Sequence, residues 1–186
     1  MQFSRQEYLI IFIAFVYGFV AQEFFQGWGQ LIRQTKKKDL SSISIYYISW
    51  TLLLFGLLIS FWWDYWDRSD KITLNIGYFM VTLIPPFIFY LISILLFPSS
   101  SSIDVFFKRE YIYLKLPSIL WLLAALLSSD LMISFIADVY KVRDALFLVI
   151  AILLCFTSAI LKSRILYRVS FIMGWILLIA HFFVEG

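Results

Sequence analysis

Glu23, Gln26, Gln30 and Arg33 stand at i, i+3, i+7 and i+10 within FVYGFVAQEFFQGWGQLIR, residues 15–33. On an α-helix this spacing sets all four on one face, with Gln22 beside them. The stretch is otherwise apolar, and a charge at hydrocarbon depth costs on the order of 3 kcal/mol. Glu23 must therefore meet protein or water, pair, or carry a proton. Two readings fit. Either Glu23 is a proton- or cation-binding carboxylate at the inner mouth of a pathway, or it joins Gln26 and Gln30 in a buried cluster of interhelical hydrogen bonds.

Asp130, in LLSSDLMIS, is the second intramembrane carboxylate. It falls in the outer third of its helix, where pairing with Arg143 or Lys141 would make it structural. A proton relay from Asp130 to His181 would require two helix ends to touch. His181, the single histidine, is expected as an interfacial hydrogen-bonder. Asp64 and Asp67 are carboxylates at i, i+3 among Trp62, Trp63 and Trp66. They read as solvated charges at a helix end, and the three indoles as interface anchors rather than a cation cage, because indole favours headgroup depth.

Other chemistry is excluded by what is missing. One His and one Cys cannot build a zinc ribbon, a zincin site or a bis-His haem site. There is no G-x-S-x-G nucleophile turn, no Walker loop and no dinucleotide glycine loop. No metal, cofactor or enzymatic activity is expected. The basic residues lie between apolar spans, so no nucleic-acid partner is expected either. Cys155 lies in an apolar run, without a disulfide framework.

The elements that hold these residues follow from composition. The chain is 62% hydrophobic and 15% charged over 186 residues, with a mean hydropathy of +0.89. Soluble domains run about 45–50% apolar and about 25% charged, so the chain is expected to be an all-α polytopic transmembrane bundle in a single domain. A spanning helix needs about 20 mostly apolar residues. Six stretches qualify, at about 8–32, 45–63, 72–97, 117–136, 145–161 and 165–183. The first apolar run is longer than a signal-peptide core and is read as a retained helix.

Pro85 and Pro86 predict a kink in the third span. Between the third and fourth, Ile103, Phe106, Phe107, Tyr111 and Leu114 recur at helical spacing and predict a short interfacial amphipathic helix. Small residues four apart, among them Gly56/Ser60, Ala124/Ser128 and Ser170/Gly174, allow close helix packing. The linkers after spans one, three and five carry ten Lys and Arg, against five on the other side. The positive-inside rule then puts both termini outside the cytoplasm, in an inner (cytoplasmic) membrane.

GWGQLIR, the cationic loop after it, SWTLLLFGLLISFWWDYW and LIPPFIFYLISILLFPSS together resemble a family of small uncharacterised bacterial integral membrane proteins. The resemblance covers roughly the first hundred residues. It implies a polytopic membrane protein and transfers no site residue. With almost no mass outside the spans, the reading chosen is a small channel or transport-type protein, or a transport subunit, with an intramembrane carboxylate. The alternative is a non-catalytic sensor, anchor or assembly module, and an enzyme on lipid or quinone comes last. Partners are the lipid bilayer and, beyond it, a homo-oligomer or another membrane protein.

Overall fold

The computed structural model describes residues 5–35, 45–68, 76–97, 109–136 and 142–184. Among them only Leu83, Phe97, Lys162 and Ser163 are not helical, and there is no strand. The helices are α1 (Arg5–Thr35), α2 (Ile45–Arg68), α3 (Ile76–Thr82), α4 (Ile84–Leu96), α5 (Arg109–Ile136), α6 (Val142–Leu161) and α7 (Arg164–Val184). Four segments are long and apolar enough to cross a membrane: Glu7–Arg33, Ile45–Trp66, Phe79–Leu96 and Tyr111–Phe135. The chain is built as a multi-pass membrane protein. The apolar part of α6, Ala145–Leu161, is shorter, and α7 carries Arg164 and Arg168 in its first two turns.

Ring and hydrogen-bond pairs fix the helix directions. Tyr17 meets Trp62, Phe24 meets Phe55 and Trp28 meets Thr51, so α1 and α2 run antiparallel. Phe12 meets Phe79 and Phe24 meets Phe97, so α3 and α4 run parallel to α1. The end of the bundle where α1 begins is called the near end below, and the opposite one the far end. The core between the ends is aliphatic and aromatic, with Phe24, Leu54, Phe89, Ile92, Leu116 and Ile119 fully buried.

The expected kink is a one-residue interruption at Leu83, whose backbone stays in the right-handed helical region. Pro85 and Pro86 have no N–H, so the carbonyls of Val81 and Thr82 cannot receive the usual i+4 bond. The chain turns at Leu83, whose N–H donates to Met80 O at 3.3 Å. Helix α4 then restarts with the prolines in its first turn, where a missing N–H costs nothing.

The fourth span begins earlier than its proline suggested. Residues 109–116, expected partly in an interfacial helix, form the first two turns of α5, which runs on through Pro117. Tyr111, Ile112 and Leu116 are buried, and burial of that face outweighs the loss of one helical hydrogen bond at Pro117. Residues 98–108, which hold the rest of the expected amphipathic segment, lie outside the described residues.

The last carbonyls of α4 have no i+4 partners within the helix and need other donors. Two tyrosines supply the missing donors. Tyr47 Oη donates to Leu96 O at 2.9 Å and Tyr111 Oη to Leu95 O at 3.2 Å. Most other buried hydroxyls bond back along their own helices, as Thr51 does to Ile48 O, Ser93 to Tyr90 O and Ser129 to Leu126 O. Across helices, Trp28 Nε1 donates to Thr51 Oγ1 at 3.1 Å, and Ser158 and Ser170 share a bond of 2.8 Å between α6 and α7.

The seam between α2 and α7 is glycine-built and reciprocal. A Cβ on Gly56 would sit 2.6 Å from a Leu178 methyl, and one on Gly174 would sit 2.9 Å from a Leu53 methyl. Each leucine fills the notch left by the glycine of the other helix. Here the small-residue spacing of Gly56/Ser60 and Ser170/Gly174 has a definite use.

Candidate functional site

At the near end, four packed segments bring polar groups to one small cleft. Tyr17 comes from α1, Asp64 and Tyr65 from α2, Thr82 and Pro85 from the α3–α4 break, and Asp130 from α5. The enclosed space is about 20 Å³, room for about one water or a small ion. Asp130 is 9% exposed and Tyr17 6%, while Asp64 and Tyr65 are half-buried. Trp62 packs behind two of the lining residues, its ring 5.5 Å from that of Tyr17 and stacked on Tyr65 at 6.2 Å.

Local sequence explains why these groups point inward. On α5, Leu116, Leu120, Leu123 and Leu127 form a buried stripe at i, i+3 and i+4 steps, and Asp130 continues it by three residues. On α2, Leu54, Leu58 and Phe61 form a similar stripe, and Asp64 and Tyr65 extend it at i+3 and i+4 from Phe61. Thr82 is buried at the helix break, its hydroxyl donating to Phe79 O at 2.8 Å. The oxygen-bearing side chains around the space are thus carboxylate, phenol and hydroxyl. Oxygen ligands of this type suit a proton or a hard cation. Among the described residues, no three His, Cys, Asp or Glu side chains gather as a metal cluster.

The residues expected in one polar cluster are not brought together. Glu23 is half-buried on α1, toward the middle of the bundle, and Gln30 is half-buried near the far end. Gln26 and Arg33 are exposed, as is Gln22, so the face they share points away from the core. Among the described residues no hydrogen bond or ion pair engages Glu23, Gln26 or Gln30. The buried cluster of the second reading does not form within one chain. Asp130 stands apart from these residues, at the near end. His181 falls in the last turn of α7, and its side chain lies outside the described residues, as do those of Lys141 and Arg143. Trp63 and Trp66 are about half exposed at the near end of α2, whereas Trp62 packs into the cleft wall.

Tyr17 and Thr82 line the cleft without having been singled out in the sequence, and Asp64, expected as a solvated helix-end charge, is half-buried beside them. The usable signal was the phase of Asp64 relative to Leu54, Leu58 and Phe61, which puts it beside the buried stripe rather than opposite it. Tyr17 and Thr82 carry no such mark in a chain this rich in aromatic and small residues.

No protein-family model matches this chain. Comparison with curated proteins and with solved structures finds no match either.

Proposed function

We propose that this is a small transport-type membrane protein that takes up a proton or a monovalent cation at the near-end cleft. The observation that carries the proposal is that Asp64 and Asp130, from different helices, line one cavity with Tyr17 beside a broken membrane helix. Two carboxylates around a space of one water attract a cation. Broken helices supply unbonded carbonyls and a hinge in many ion-coupled carriers. In this reading the chain crosses an inner (cytoplasmic) membrane six times, α6 and α7 completing the bundle, with both termini outside the cytoplasm and a short interfacial segment before α5. The near end then faces outward, and Glu23 lies deeper along the route.

The apolar core that includes Phe24, Leu54, Phe89 and Ile92 favours one alternative, a sensor that binds the ion without passing it. In the carrier reading, that core must part by movement about the Leu83–Pro86 break. Purified protein in liposomes decides the matter. Wild type should pass protons, sodium or potassium well above empty vesicles, and Asp130→Asn should cut that flux at least tenfold with the melting temperature in detergent retained. Asp64→Asn should do the same. Glu23→Gln then asks whether the mid-bundle carboxylate lies on the route. Wild-type flux equal to that of empty vesicles overturns the carrier reading, and melting that no cation or pH change shifts overturns the sensor as well.

A further inference from the structure

We propose that the outward face of α1 binds a second copy of this chain within the bilayer. Helix α1 is the least covered of the four spans, 22% buried over its apolar window against 39–44% for the others. Val20 is the midpoint of the Glu7–Arg33 span. Gln22 and Gln26 therefore lie about 3 and 9 Å along the axis from that point, inside a hydrocarbon half-layer of about 15 Å. Both are exposed, and both stand on the face that looks away from the bundle. Neither has a hydrogen-bond partner among the described residues. In lipid an unmatched carboxamide is costly, because acyl chains offer neither donor nor acceptor.

A carboxamide both donates and accepts. An identical face brought up about a two-fold axis therefore satisfies Gln22 with its counterpart and Gln26 with its own, as an isologous contact requires. The same face has the shape for close approach. Nothing lies within 4 Å of where a Gly18 Cβ would be. Ala14 and Gly18 floor an open groove of about 420 Å³ whose walls are Ile11, Phe15 and Phe19 and which ends at Gln22. Small residues one turn apart let two backbones meet closely, and the amide bonds then form at short range. A second copy carries the matching groups at matching depth by construction. The inference uses only this face of α1 and stands independently of the near-end cleft.

The test uses the full chain, purified and reconstituted at low protein-to-lipid ratio, so that no other protein is present. Ile11→Cys is oxidised in the bilayer, with wild type as the blank, because Cys155 is buried. Met132→Cys, exposed on α5, reports random collision. Ile11→Cys should give a covalent dimer at least tenfold faster than Met132→Cys. Adding Gln22→Leu with Gln26→Leu should weaken association about tenfold without lowering the melting temperature, since both positions face lipid in the single chain. Crosslinking no faster at Ile11 than at Met132 overturns the proposal. So does a dimer fraction that the two leucines leave unchanged.

Discussion

Tyr47 and Tyr111 do at single-residue scale what water does for helix ends in soluble proteins: they give the last carbonyls of α4 a donor. The two are not equal. Tyr47 is 1% exposed and makes the shorter bond, and Tyr111 lies nearer the surface of its end. Removing the donor leaves a buried carbonyl unmatched, at about 1–3 kcal/mol. Tyr47→Phe should therefore destabilise the folded chain by about 2 kcal/mol in reversible unfolding from mixed micelles, and Tyr111→Phe by less than half as much. Equal losses would mean that the hydroxyls act through something other than these bonds. At this scale the sequence was only partly informative. Periodicity put Glu23, Gln26, Gln30 and Arg33 on one face with Gln22 beside them, but not whether the face turned inward, because period fixes relative angle and not absolute direction. Asp64 was misread for a related reason. Proximity to a helix end suggested solvent, whereas its phase relative to Phe61 placed it against the core.

Helix lengths and breaks were far more legible, since a run of apolar residues between cationic linkers specifies a membrane helix almost by itself. The expected segments 8–32, 45–63, 145–161 and 165–183 each lie within an observed helix. Prolines were read with mixed success. Pro85 and Pro86 together end one helix and start another, as two successive missing donors should. Pro117 alone does not, because Ile112 and Leu116 on its N-terminal side have a core to enter. Which helices pair was not legible, as small residues recur by chance throughout apolar sequence. The α2–α7 seam gives that pairing a test. Gly56→Ala should be mild, since the atom it meets is the flexible tip of Leu178. Gly56→Val should cost about 1–3 kcal/mol through overpacking. Leu178→Ala, damaging alone, should recover part of that loss in the double variant. Additive losses would show that the two side chains do not meet.

For the whole molecule, the number of crossings separates a bundle of four from one of six. The four segments of sufficient length and apolarity end with α5, and the apolar segment of α6, Ala145–Leu161, is only 17 residues long, about 26 Å at helical rise. Cysteines introduced at residue 139 and at Lys162 and probed with an impermeant thiol reagent give the answer. Six crossings place them on opposite sides of the membrane, and four place them on the same side. The expected result is opposite sides, because α7 runs alongside the spanning helix α2, with Phe171 at Tyr46 and Trp50 and Leu178 at Gly56, and α6 packs on α5 through Phe156 and Trp121.

The glycine seam has a consequence for how the protein is made. It joins α2, made early, to α7, made much later. Until α7 arrives, the notch at Gly56 stands open to lipid or to a chaperone, and the nascent bundle has a missing stave. Chains arrested before residue 164 should therefore be recognised as unfinished and degraded by membrane quality control, although the four segments long and apolar enough to span are already made.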